Sequence, residues 1–133
     1  MKIAEPFKTC GLDEIKAELA GGKLVIYSVA RPKSPDARVE RSGVLATLTF
    51  AAPAFNGDGA AAENGLPLFA ANPVVATGTG TPGFARAFKA DGTTVVADFT
   101  AGAGDSEVKL SEISASANYP IKLTKLKLEL PAV

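Results

Sequence analysis

Apolar and polar positions alternate with a period of two through most of this chain, most clearly between Gly21 and Phe55. Lys23 to Ala30 is rich in β-branched and aromatic residues, as strands favour. In the run ending at Phe50, Val44, Ala46, Leu48 and Phe50 fall on one side, and Leu45, Thr47 and Thr49 on the other. Successive side chains of a strand point to opposite faces, so this spacing predicts strands lying on a core. Further strands are expected near residues 65–76, 82–89, 93–100, 107–113 and 119–130, after the first two at 23–30 and 43–50. Asp91-Gly92 predicts a hairpin between Phe84–Lys89 and Thr94–Phe99. Phe84, Arg86 and Phe88 would share one face of its first arm. Val95, Ala97 and Phe99 would share one face of the second.

The closing run, Tyr119 to Leu130, changes phase. Ile121 and Leu123 sit at odd positions, whereas Leu126, Leu128 and Leu130 sit at even ones. A regular strand would send the two sets to opposite faces. A β-bulge near Thr124-Lys125 would return them to one face. The alternative is a strand that passes from one sheet to another.

One segment has the helical period. Leu12, Ile15 and Leu19 recur at i, i+3 and i+7 within residues 11–20. Asp13 and Glu14 suit the positive end of the helix dipole, and Gly21-Gly22 supplies a stop. The fold class expected is therefore all-β: an antiparallel β-sandwich, a jelly roll being one form of it, with one short N-terminal helix. The 133 residues suit one domain, with 1–10 as a polar N-terminal arm, 11–20 as the helix and 23–130 as strands. Scattered prolines at strand edges and loops agree with this.

Composition narrows the function more by exclusion than by assertion. Apolar residues are 47% of the chain, enough for a core. Fourteen basic residues balance fourteen acidic ones, which argues against a nucleic-acid partner. No run approaches the roughly 18 apolar residues of a membrane span. The start, MKIAEPFKTC, does not read as a secretory signal. Cys10 is the single cysteine, so no intrachain disulfide forms, and its plain reading is a small hydrophobe. Histidine is absent, which removes serine–histidine and cysteine–histidine catalysis and the ordinary zinc sites. No catalytic residue, cofactor or metal ligand is assigned, and the chain is not expected to be an enzyme.

Three local patterns invite chemistry. Gly78 to Gly83 reads G-x-G-x-x-G, with Asp98 beyond it. A dinucleotide site requires a helix opening on the last glycine, and Phe84 onward alternates as a strand instead. A flexible loop explains these glycines. Asp98, Asp105 and Glu107 form a sparse acidic set without calcium-loop spacing. The lysines at 122, 125 and 127 would line the outer side of the last strand, where they discourage strand pairing.

Two regions suit contact with a partner. The loop from 31 to 41 carries Arg31, Lys33, Arg38 and Arg41 among acidic residues. It reads either as a solvated tip or as a docking element, since arginine is favoured at interfaces. From Ser42 to Ala85 there is no lysine or arginine, and the only acids are Asp58 and Glu63. Interface cores are depleted in charge, so residues 51–83 are a second candidate surface. The polar segment 1–10 is a third.

The ordered set of motifs also resembles a known group. Leu24-Val25-Ile26-Tyr27 follows the helix, then Gly43-Val44-Leu45-Ala46-Thr47-Leu48-Thr49-Phe50 and Pro53-Ala54-Phe55. Gly83-Phe84-Ala85-Arg86 and Asp91-Gly92-Thr93-Thr94-Val95 continue it. This layout resembles small β-rich proteins encoded among the structural genes of tailed phages and prophages. The resemblance implies a virion component without enzymatic activity, made in the host cytoplasm. Its leading form is a capsid decoration or cement protein, bound to the major capsid protein or other virion proteins and capable of homo-oligomerising. A tail-, neck- or fibre-associated module, either structural or binding a receptor or carbohydrate, is the alternative.

Overall fold

A computed structural model describes residues 2–9, 11–28, 43–51, 69, 74–102, 107–110 and 114–126. In chain order these form β1 (Lys2–Ile3), a 3-10 turn (Glu5–Phe7), α1 (Leu12–Glu18), β2 (Lys23–Tyr27) and β3 (Val44–Thr49). Then come β4 (Val74–Val75), β5 (Phe84–Phe88), β6 (Val95–Thr100), β7 (Val108–Leu110), β8 (Pro120–Ile121) and β9 (Leu123–Leu126). The architecture is mostly β. A five-stranded sheet has the order β1-β6-β5-β2-β3, with every pairing antiparallel, and β4–β8 and β7–β9 form two-stranded ladders.

The inner face of the large sheet is built by cross-strand rows. Leu24 lies between Leu48 and Ala87, and Ile26 between Ala46 and Ala85. Ala85 faces Phe99, and Ala87 faces Ala97. These residues join Val108, Ile121, Leu123 and Leu126 of the small ladders in one buried cluster. The alanines in the middle of the sheet leave room for the large side chains around them, as close packing requires.

Three register shifts decide which residues point inward. On β3, Ile26 pairs with Ala46 and Tyr27 with Val44, so Leu45 is the extra residue. On β6, Ala87 pairs with Ala97 and Phe88 with Val95, which makes Val96 the extra one. On β9, Lys109 pairs with Lys125 and Leu110 with Leu123, which makes Thr124 the extra one. The third is the expected bulge, and it leaves both Leu123 and Leu126 buried. The alternative is met as well, because β8 pairs with β4 and β9 with β7. The first two shifts correct the simple alternation. Leu45 and Val96 are in the core, whereas Val44 is exposed and Val95 half-exposed. The physical reason is that a bulge sets two residues against one, and the second of each apolar pair takes the inward position.

The N-terminal segment is part of the sheet. β1 pairs with Asp98 and Ala97 of β6, and the Ala4 amide donates to the Val96 carbonyl. Ile3, Ala4 and Phe7 are buried, so residues 2–7 pack on the body and do not extend as a polar arm. Two residues are too few to show a strand period, which is why β1 has no counterpart among the expected strands.

Helix α1 is shorter than the expected 11–20, and Ile15 within it and Leu19 just after it are both fully buried. Gly21 follows with φ +71°, the left-handed conformation that glycine adopts without a Cβ clash. The Gly22 amide donates to Leu19 and its carbonyl accepts from Phe50, so the chain turns directly from the helix into β2 beside β3. Glu18 pairs with Lys89 at 2.9 Å, tying α1 to the end of β5, and this partner raises the Lys89 pKa.

Asp91 organises the β5–β6 turn. Its carboxylate accepts the Thr93 and Thr94 amides, at 2.9 and 2.8 Å, and the Thr94 hydroxyl. Gly92 takes the left-handed position at φ +75°. Those hydrogen bonds favour the ionised form, and they lower the Asp91 pKa from 3.8 to about 2. A depressed carboxylate contributes stability that is fully present above its unfolded pKa and is lost as pH falls through the folded one. The stability difference between wild type and Asp91→Ala is therefore expected to be constant at neutral pH and to shrink between pH 3.8 and about 2. Urea midpoints measured across that range check it, and a difference that does not change down to pH 2 contradicts the assignment.

Candidate interaction surface

Arg31, Lys33, Arg38 and Arg41 lie outside the described residues, so the docking reading of the 31–41 loop has no geometry to add. Most of 51–83 is likewise outside them, and Ala51, Phe69 and residues 74–83 are described. Phe69 stacks on Phe50, with ring centroids 5.1 Å apart, and bridges to it. Asp105 is outside as well.

The glycine-rich segment is bonded along its length. The Thr77 and Gly78 amides both donate to the Leu45 carbonyl, Gly80 and Ala115 exchange hydrogen bonds, and the Gly83 amide donates to Tyr27. The Thr79 hydroxyl accepts the Ala117 amide at 3.0 Å. Gly83 leads into β5, with no helix. A Cβ on Gly78 would collide with the Val44 carbonyl oxygen. Close backbone approach, in place of the expected loop flexibility, accounts for that glycine.

Asp98 is also spoken for. It faces Arg86 across the sheet, and its two oxygens accept from Nε at 2.7 Å and Nη2 at 3.0 Å. Both side chains are buried. The planar fork suits a carboxylate, and the Arg86 guanidinium also lies 5.7 Å from the centre of the Phe84 ring. Phe84 stacks on Tyr27 at 4.8 Å. Burial raises the Tyr27 pKa, with Arg86 acting in the opposite direction. This outer face of the sheet is thus buried around Arg86 and Phe84. Glu107 accepts the Thr100 amide at 3.1 Å and donates its own amide to the Thr100 hydroxyl, which fastens the end of β6. Among the described residues no group of three or more acids and cysteines is placed to hold a metal ion.

A different region gathers the exposed apolar side chains. β4 joins two elements, since Thr77 bonds to Leu45 on one side and Ala76 exchanges backbone bonds with Asn118 and Tyr119 on the other. Among the described residues, the large hydrophobics left exposed are Val44 at 37%, Val75 at 58% and Tyr119 at 68%. All three belong to these adjoining segments. Next to Tyr119 lies a shallow groove of about 400 Å³, lined by Ser114, Ala115, Ser116, Tyr119, Pro120 and Ile121. Val75 lies in the charge-poor 51–83 region, but nothing in the sequence pattern marked Tyr119 or Val44 as exposed. The pairing of Val75 with Pro120, with the bonds of Ala76 to Asn118 and Tyr119, brings the two regions together.

Comparison with family models, with curated proteins and with solved structures finds no match to this chain. The family likeness therefore rests on its sequence motifs alone.

Proposed function

We propose that this chain is a structural virion protein, a capsid decoration or cement protein that binds the assembled shell and carries no catalysis. The observation that carries the reading is that Val44 and Val75, on segments joined by the bond from Thr77 to Leu45, stay exposed within a stretch of sequence free of lysine and arginine. Apolar side chains in such a setting favour burial against a protein partner. Full burial of Val75 contributes on the order of 2 kcal/mol. The phage-like order of motifs supplies the class of partner: major capsid protein or other virion proteins. Arg31, Lys33, Arg38 and Arg41 are proposed as further partner-contact residues. A chain that binds only the assembled shell stabilises it by mass action, and repeated copies multiply weak contacts. A homo-oligomer at a symmetry axis fits the same scheme. The two small ladders are proposed to form the second layer of a sandwich. The core they share with the large sheet supports that arrangement.

Electrophoresis of purified particles tests the reading. Hundreds of copies per particle are expected, and a dozen or fewer would move the chain to tail or neck. Val75→Asp is expected to lower shell occupancy about tenfold or more, the effect of losing roughly 1.4 kcal/mol. Charge reversal at Arg31, Arg38 and Arg41 is expected to weaken particle binding too, and unchanged occupancy removes the loop from the interface. A tail- or fibre-associated module that binds a receptor or carbohydrate is the second reading, favoured by the exposed ring of Tyr119.

A further inference from the structure

We propose that the groove beside Tyr119 is a binding site for a neutral sugar ring. Tyr119 is an aromatic side chain left mostly in water, and its backbone is held on both sides. Its amide donates to Ser116, its carbonyl accepts from Ala76, and the preceding Asn118, at φ +72°, donates to Ala76. Ala115 and Gly80 bond to each other further along. The backbone that carries the ring is therefore a bonded turn, so little backbone ordering is needed on binding.

The lining defines the ligand class. Buried Ala115 and Ile121 supply an apolar floor, Tyr119 and Pro120 an exposed wall, and Ser114 and Ser116 two exposed hydroxyls. None of the six lining residues is charged. A phosphate or carboxylate ligand would find no cation among them, and a purely apolar ligand would leave the hydroxyls unused. A pyranose matches both demands, with C–H bonds on one face for the aromatic ring and hydroxyls at its edge for the serines. The volume of about 400 Å³ accepts one or two rings. A dozen ligand atoms in a shallow groove bind with roughly millimolar affinity. The site deepens the carbohydrate-binding reading. It does not depend on where the chain sits in a particle, because the test uses the isolated protein.

The test is saturation-transfer NMR with methyl glycosides of glucose, galactose and N-acetylglucosamine, together with adenosine, and amide-shift mapping on labelled protein. Transfer to the ring C–H protons of at least one glycoside is expected, with shifted amides confined to residues 114–121. Tyr119→Ala is expected to weaken binding about tenfold, Tyr119→Phe to retain it, and Thr93→Ala, an exposed position in the β5–β6 turn, to leave it unchanged. The wild-type amide map stands even if Tyr119→Ala perturbs the fold. No transfer from any glycoside at tens of millimolar, shifts elsewhere, binding indifferent to Tyr119→Ala, or adenosine bound in preference to every sugar would each overturn the proposal. Loss of sugar binding would leave particle copy number unaffected, so the two readings fail separately.

Discussion

Asp98→Ala is expected to cost about 3–5 kcal/mol of folding stability, among the largest effects of any single substitution in this chain. The carboxylate is fully buried, and both its oxygens are taken by Arg86. Removing it leaves a guanidinium that is itself buried and is always charged. The attraction within the pair is not the quantity at stake. Bringing both ions out of water costs several kcal/mol each, so the intact pair is close to neutral for stability. The double variant Arg86→Met with Asp98→Leu is therefore expected to fold with stability near that of wild type, or above it. Urea unfolding of the two variants distinguishes the cases. A loss below about 1 kcal/mol for Asp98→Ala would mean that water reaches Arg86 and that the outer face of the sheet is open.

Gly22→Ala is expected to have the other large effect, a loss of about 3 kcal/mol or more. The backbone at Gly22 passes so close to the end of β5 that a Cβ would overlap the Phe88 carbonyl oxygen, with the Leu19 carbonyl oxygen at 3.1 Å. Both obstacles are backbone and cannot rotate away. The Gly22 amide and carbonyl are also bonded, to Leu19 and Phe50, which blocks escape in either direction. Gly21→Ala is the informative control. Its Cβ would meet the Ala90 side chain at an ordinary 3.6 Å, and only the left-handed φ of +71° is unfavourable. That strain costs about 1–2 kcal/mol. Equal effects at the two glycines would show that conformation, and not contact with β5, explains both.

How much of this fold could be read beforehand depends on what each local pattern could reveal. The β5–β6 hairpin was legible because Asp91-Gly92 is a local turn signal and Asp91 caps its own loop. The bulge at Thr124 was legible because the apolar positions change parity across polar residues. The bulges at Leu45 and Val96 were not, although they obey the same geometry. Each falls in a Val-Leu or Val-Val pair, and two adjacent apolar residues leave either one free to turn inward. β1 was hidden because two residues have no period, and its place depends on the edge of β6.

The candidate surface was less legible still. Charge depletion marked the region of Val75, but the exposure of Val44 follows from the bulge in β3, and Tyr119 is placed by its backbone bond to Ala76. Asp98 shows the same limit from the other side. The strand pattern after Gly83 already argued against a nucleotide-binding role for it, but only the cross-strand register shows that it faces Arg86.

By itself the sequence determined the antiparallel β character, the Asp91-Gly92 hairpin, the phase slip in the last strand and the absence of histidine chemistry. These are local or compositional properties, written within a few residues or in the chain as a whole. The tertiary structure alone decided which of two adjacent valines or leucines enters the core, which charges are buried together, and which apolar side chains stay in water. Those outcomes depend on register between strands as far apart as β1 and β6, or β4 and β8. No window along the chain holds both partners.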